Sequence, residues 1–161
     1  MSLSKTFYLL KDAERRTGKF YSLIALSVSI TQPNLADLLN DLAEEEEQHA
    51  RQVEMMHNYF LQGPDAFLET AEAEKTIAEF VQNLDTIKNY FNQNFGKIKT
   101  GDLVDLALDI ERNLVESHQA FIFQVVDIQI KKLFESLNQG NKSHIQRLER
   151  FQENGGPSPG A

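Results

Sequence analysis

Residues 35–60 read LADLLNDLAEEEEQHARQVEMMHNYF, and this stretch decides the fold. Its apolar side chains recur at alternating steps of three and four, which places them on one face of a helix and predicts that this face is buried. Glu46 and His49 lie on the same face, where the spacing predicts apolar residues. Because an ionised carboxylate in a protein core is costly unless it is paired or binds a metal, this interruption indicates a special environment.

Three other helical stripes carry polar residues near their middle in the same way. These stripes span residues 7–28, 104–125 and 130–151. The interrupting residues are Glu14 in the first, Glu111 and His118 in the second, and Asn141 and His144 in the third. One such placement could arise by chance, but four in register favour a common cause, and a bound cation is the simplest one.

Composition limits the classes of protein to which this chain can belong. With 161 residues it is long enough for one domain with its own core and too short for two ordinary ones. The absence of cysteine excludes disulfides, a thiol nucleophile, a zinc ribbon and a thiolate-bound iron centre. The formal net charge of −8 argues against nucleic acid or an anionic membrane as a partner. The longest mostly apolar stretch, residues 20–30, is too short to span a bilayer, and a cytoplasmic location is expected.

Start and stop signals divide the chain into four long helices and a connecting segment. The predicted helices span about residues 4–29, 33–61, 102–123 and 128–152. Ser4 and Asp102 are the expected N-caps of the first and third helices. Residues 64–101 are expected to form short helices in a crossover, since no long apolar stripe develops there. Two antiparallel hairpins joined by one long crossover predict an all-α, ferritin-like four-helix bundle over residues 1–154, followed by a flexible tail at residues 155–161.

The two predicted hairpins offer similar sets of metal-binding side chains. In each, a glutamate precedes a pair of residues spaced three apart, by 32 residues in the first hairpin and by 30 in the second. Residues three apart share a helix face, so each set can point into the bundle. Bridging carboxylate oxygens with terminal imidazoles are the donors that a pair of divalent iron or manganese ions takes. The predicted metal ligands are Glu14, Glu46, His49, Glu111 and His144, with Asn141 as a weak, neutral ligand.

This ligand set resembles that of the rubrerythrin-like diiron proteins of the ferritin-like superfamily, over nearly all of residues 4–152. The best single match is the Glu-x-x-His motif within Glu44–His49, and the spaced Glu111 and His144 strengthen it. The resemblance implies reduction of peroxide or oxygen at a carboxylate-bridged diiron centre, with an external redox protein as electron donor. It also implies that Tyr21 supplies a phenol beside the ligand of the first helix.

The chain departs from the family pattern at two points. The rubredoxin module that feeds electrons in full-length rubrerythrins needs four cysteines, and this chain has none, so any electron donor must be another molecule. Asn141 stands where the pattern has a glutamate, which leaves three carboxylates to face the four positive charges of two divalent ions. A neutral amide oxygen is a weaker donor, so the affinity for the second ion should be lower. Two irons are expected, or one, with manganese or zinc as substitutes.

Other interpretations of the same residues stay open. A ferroxidase would oxidise ferrous iron without a dedicated reductant, and a degenerate bundle with one or no metal would act as a binding module, which Asn141 favours. His118 is most simply a buried group hydrogen-bonded to a neighbour, although it and Tyr21 are also candidates to deliver protons. Of residues 44–47, only Glu46 is assigned to the core. A homodimer is expected, because such bundles commonly associate along exposed apolar faces.

Overall fold

A computed structural model describes residues 3–63, 71–122 and 125–154, which form five α-helices. They are α1 (Leu3–Val28), α2 (Pro33–Gln62), α3 (Ala71–Gln93), α4 (Thr100–Ile122) and α5 (Ile128–Glu153). α1 pairs with α2 and α4 with α5, while α3 lies in the crossover and packs against α1 and α4. The predicted all-α, ferritin-like bundle is confirmed. The predicted tail lies outside the described residues.

The crossover differs from the prediction of several short helices. Its described part contains one helix of 23 residues, α3. Ile77, Phe80, Leu84 and Phe91 on this helix are buried and lie on one continuous face. Their packing against the core supplies the tertiary stabilisation that a helix of this length needs. The sequence does not show this face as a distinct apolar stripe, because other apolar residues of α3 lie beside it.

The two predicted N-caps are wrong, although the helix starts are close to those expected. Ser4 lies within α1, and its hydroxyl contacts His57 Nε2 at 2.5 Å. Asp102 lies in the first turn of α4, which begins at Thr100. At the start of α5 the cap is Asp127, whose carboxylate accepts hydrogen bonds from two backbone N–H groups at 2.8 and 3.1 Å. None of the described helices is long and apolar enough to cross a membrane.

The core contains two apolar clusters with a layer of polar side chains between them. On α1, Glu14 lies between Leu10 of one cluster and Phe20 of the other. On α2, Leu42 and Val53 of the two clusters lie on either side of the polar residues in the same way. This polar layer comprises the buried residues Glu14, Glu46, His49, Glu111, His118, Asn141 and His144. Apolar side chains therefore shield it from bulk water on both sides.

Candidate metal centre

The polar layer brings together side chains from all four helices of the two hairpins. Glu14 comes from α1, Glu46 and His49 from α2, Glu111 and His118 from α4, and Asn141 and His144 from α5. Each is fully shielded from solvent except His49, which is 7% exposed. All six predicted ligands therefore lie in one buried layer, and their role as ligands stays a prediction.

Two glycines allow the helices to approach closely at this layer. A Cβ atom added at Gly18 of α1 would lie 3.0 Å from the Ala43 carbonyl oxygen and 3.2 Å from Glu46 Cβ, so the crossing of α1 and α2 depends on the missing side chain. A Cβ atom added at Gly140 of α5 would lie only 2.6 Å from His49 Nε2. Since α5 continues as a helix through Gly140, this glycine provides room for the imidazole rather than a change of helical register.

Glu46 lies between two of the three histidines of the layer, His49 and His144. Its Oε2 is 3.3 Å from His49 Nδ1, and its Oε1 is 2.9 Å from His144 Nδ1. One ligand atom from each of these three residues lies within 4.8 Å of the others, so the group could hold a metal ion. Two more carboxylates extend the group, since Glu14 Oε2 is 3.9 Å from His49 Nδ1 and Glu111 Oε2 is 3.3 Å from His144 Nδ1. Carboxylates with imidazoles form a donor set that suits divalent iron and zinc.

Tyr21 and His118 connect the two hairpins in a crosswise manner. Tyr21 on α1 donates a hydrogen bond of 2.7 Å to Oε1 of Glu111 on α4. His118 on α4 shares a hydrogen bond of 2.5 Å between its Nε2 and Oε1 of Glu14 on α1. Burial and the charge of Glu111 raise the pKa of Tyr21 well above its ordinary value, so the phenol stays protonated and remains a donor. Each hairpin therefore holds a carboxylate of the other.

Asn141 joins the layer through its amide group. Its Nδ2 donates to Glu111 Oε2 at 3.1 Å, while its Oδ1 has no hydrogen-bond partner among the described residues. Asn138, three residues earlier on the same face of α5, is also buried and was not singled out by the sequence pattern. The acids that could replace a fourth carboxylate lie outside the buried core, as their helical angles predict: Asp109, Glu116, Glu135 and Glu149.

Nδ1 of His118, which is in the layer but is not a predicted ligand, has no hydrogen bond within the described part of the chain. The same holds for four buried atoms of the predicted ligands: Glu14 Oε2, Glu46 Oε1, Asn141 Oδ1 and His144 Nδ1. Glu46 Oε1 and His144 Nδ1 are 2.9 Å apart, but their approach lacks hydrogen-bond geometry. An unsatisfied buried polar group costs about 1–3 kcal/mol, and a charged one costs more. A cation among these atoms would satisfy them together, whereas a metal-free network would leave them unpaired. The residues of the layer therefore fit a metal centre.

Burial also determines where protons lie in the metal-free layer. Burial raises the pKa of Glu14 to about 7; His118 acts to lower it, and Glu46 adds to the rise. Burial opposes a charged His144, but the nearby carboxylates of Glu111 and Glu46 outweigh it and raise the pKa of His144 to about 11. Protons thus occupy the layer near neutral pH. A metal ion that binds there must displace them, which couples metal affinity to pH.

Glu45 contacts His144, although the sequence pattern does not predict this contact. The pattern places Glu45 on the solvated helix face beside Glu46. Glu45 Oε2 lies 2.9 Å from His144 Nε2, and Arg147 donates to its other carboxylate oxygen at 2.5 Å. Partial burial acts to raise the pKa of Glu45, but hydrogen bonds from Arg147 and His144 outweigh it and hold the pKa below its usual value. The sequence contains one indication of this contact. Arg147 stands three residues after His144 and so shares its helix face, which lets both side chains reach the same carboxylate.

Comparison with known families agrees with this geometry. Residues 12–152 match the family model of rubrerythrin. The matched segment contains the whole polar layer together with Tyr21 and Glu45. No curated protein and no solved structure matches the chain at a significant level. The family match and the donor set of the layer indicate a metal-binding protein of the diiron type. With a match over most of its length and the ferritin-like arrangement of its helices, the chain belongs to the rubrerythrin family.

Proposed function

We propose that this protein is an oxidoreductase that reduces peroxide or oxygen at a carboxylate-bridged diiron centre in the polar layer. The observation that carries the proposal is the set of unpaired ligand atoms on Glu14, Glu46, Asn141 and His144, which are enclosed in a buried layer. Acids are tolerated in such a place when cations lie among them. The family match over residues 12–152 supports the same chemistry.

The two hairpins divide the proposed ligands between two ions. Glu14 and His49 would hold one ion, and Glu111 and His144 would hold the other. Glu46 would bridge them, because its two carboxylate oxygens face different histidines. When bound, a pair of ferrous ions supplies the two electrons that convert peroxide to water. Because the chain has no cysteine for a rubredoxin module, an external redox protein is the proposed electron donor.

Reduction of one peroxide to two water molecules also consumes two protons. His118 and Glu14 share a hydrogen bond of 2.5 Å beside the proposed ligands, so this pair can hold a proton close to the centre. Tyr21 holds Glu111 in place through its own hydrogen bond and remains a neutral phenol. We therefore assign delivery of one of these two protons to the pair of His118 and Glu14, with the other taken from water, and the orientation of Glu111 to Tyr21.

A second candidate is a protein that retains a single ion and acts as a binding module. Asn141 favours it, because three carboxylates carry three negative charges against the four positive charges of two divalent ions. One ligand atom from each of Glu46, His49 and His144 lies within 4.8 Å of the others, so this group could hold one ion. In the diiron proposal, the same charge deficit makes the ion beside Asn141 the more weakly bound of the two.

Metal content and turnover test these alternatives. The protein would be loaded with ferrous iron without oxygen, analysed for iron per chain, and oxidised to look for the near-ultraviolet absorption of an oxo-bridged pair. Peroxide consumption would then be measured with a chemical reductant. Two irons per chain, the absorption and reductant-dependent peroxide consumption support the proposal. Two irons that oxygen oxidises without such turnover indicate a ferroxidase, and one or no metal indicates the binding module.

Replacing His49 by alanine tests the ligand assignment directly. Stoichiometric iron binding should be lost, because the variant removes one of the two imidazoles that contact Glu46. His57→Ala is the matched control, since His57 lies on the same helix but outside the polar layer, where it contacts Ser4. A His49→Ala protein that still binds two irons per chain would contradict the assignment.

The expected homodimer and cytoplasmic location remain predictions. So does the division of the chain into one domain and a tail.

A further inference from the structure

We infer that Glu45 is a positioning residue for the proposed metal centre, because it fixes the imidazole of His144 so that Nδ1, and not Nε2, faces the ions. This inference rests on the proposed function in one respect, since it requires a metal in the polar layer. Glu45 lies on α2 directly before Glu46, with its side chain 39% exposed. It therefore joins the buried ring of His144 to the surface of the bundle.

The two sides of the His144 ring have different contacts. Nε2 is hydrogen-bonded to Glu45 Oε2 at 2.9 Å. Nδ1 is 2.9 Å from Glu46 Oε1 and 3.3 Å from Glu111 Oε2, and it makes no hydrogen bond among the described residues. An ionised carboxylate only accepts hydrogen bonds, so Nε2 carries the proton in its contact with Glu45. When an ion is bound, the imidazole is neutral and has one N–H, so its lone pair is on Nδ1, on the side of Glu46 and Glu111.

Arg147 holds Glu45 in this contact. Its Nη1 lies 2.5 Å from Glu45 Oε1, and its Nη2 lies 3.3 Å from Asp41 Oδ2. Arg147 and His144 are three residues apart on α5, so both reach Glu45 from the same helix face. The carboxylate is thus held between a guanidinium and an imidazole, which restrains it from turning toward solvent. Histidines that bind metals commonly donate their second N–H to a carboxylate, which orients the ring and makes it a stronger ligand.

The other histidine that contacts Glu46, His49, has different surroundings. The Nε2 side of the His49 ring faces α5 at Gly140, where an added Cβ atom would lie 2.6 Å away. Both rings contact the Glu46 carboxylate through Nδ1, but the Nε2 side of His49 faces α5 at Gly140, whereas Nε2 of His144 contacts the carboxylate of Glu45. Loss of the Glu45 carboxylate should therefore weaken the ion held by His144 and leave the ion held by His49 largely unchanged.

Zinc titration of the full-length, metal-free protein tests this inference. The variants are Glu45→Ala and Glu45→Gln, and Glu44→Ala is the matched control, because it removes the same charge from an exposed neighbouring position of α2. Calorimetry measures zinc affinity. Nuclear magnetic resonance of the zinc-loaded protein with 15N-labelled histidine shows which ring nitrogen of His144 carries the proton, and a merely structural role for Glu45 would not change it.

We expect Glu45→Ala to lower zinc affinity at one site by roughly 10–100-fold and to abolish the defined Nε2–H state of His144. Glu45→Gln should lose less, because an amide oxygen still accepts a hydrogen bond but carries no charge. Glu44→Ala should behave like the wild type. If Glu45→Ala does not fold, Glu45→Gln, which keeps the side-chain volume, provides the same comparison with the control.

The results separate this inference from the proposed function. Equal zinc affinity in the Glu45 variants and the Glu44→Ala control, with Nε2 of His144 still protonated, would overturn the positioning role and leave the metal centre standing. A wild-type protein that takes up no zinc and no iron would overturn the metal centre itself, and the positioning role with it.

Discussion

Replacing Gly140 by alanine tests the close contact between α5 and His49. The added Cβ atom would lie 2.6 Å from His49 Nε2 and 2.9 Å from its Cε1. Ordinary van der Waals contact begins at 3.4 Å, so the ring or the backbone of α5 must move by 3.4 − 2.6, or about 0.8 Å. Because the His49 side chain is only 10% exposed, neighbouring side chains limit the directions in which the ring can move.

Two opposite effects decide the stability of the Gly140→Ala variant. Alanine is favoured over glycine in a helix interior by about 0.8–1.0 kcal/mol. Overpacking a buried site typically costs about 1–3 kcal/mol. The free energy of unfolding of the metal-free protein should therefore fall by roughly 0–2 kcal/mol. Metal binding should suffer more, because a shift of about 0.8 Å greatly exceeds the tolerance of roughly 0.2 Å in metal–ligand distances. We expect at least about tenfold weaker binding of one ion, equivalent to about 1.4 kcal/mol.

Gly101→Ala provides the matched control for this experiment. Gly101 lies near the start of α4, and a Cβ atom added there would meet nothing within 4 Å. This variant should keep wild-type metal affinity and should be as stable as the wild type or slightly more stable. Urea unfolding and zinc titration would be measured for both variants. If Gly140→Ala matches Gly101→Ala in both measurements, the proposed contact between α5 and His49 is wrong.

Three further predictions concern the polar layer itself. Asn141→Glu should raise the affinity for a second metal ion in calorimetric titration, because it adds the missing negative charge; unchanged affinity would mean that this side chain does not face the metal. Tyr21→Phe deprives the buried Glu111 of its 2.7 Å hydrogen bond, so the free energy of unfolding in urea should fall by about 1–3 kcal/mol, and a loss below about 0.5 kcal/mol would speak against that bond. Burial raises the pKa of Glu14 from 4.5 to about 7, so folding favours the protonated carboxyl group. The stability that this protonated group contributes is fully present below pH 4.5 and is lost as the pH rises through about 7. The metal-free protein should therefore lose stability over this interval. Thermal unfolding measured across this interval should show a weaker pH dependence in Glu14→Gln, and an identical dependence in both proteins would refute the assignment.

The helices and the faces that they bury follow from the spacing of apolar residues along the chain. A helix turns by a constant angle at each residue, so the spacing of apolar residues assigns Glu14, Glu46, Glu111 and His144 to buried faces without knowledge of their neighbours. These four residues are buried in the structure, as expected. Loop lengths were sufficient to predict the two hairpins and the long crossover. The length of α3 does not follow from the same spacing, because its buried face is flanked by other apolar residues.

Which side chains meet across the helices depends on how the helices pack together. Periodicity gives the direction of each side chain about its own helix axis, but not the offset of one helix along another. The crosswise bonds from Tyr21 to Glu111 and between His118 and Glu14 depend on that offset. Glu45 shows the same limit most clearly. It lies one residue away from the buried line, and its role becomes visible only when α5 brings a histidine and an arginine to the edge of the layer.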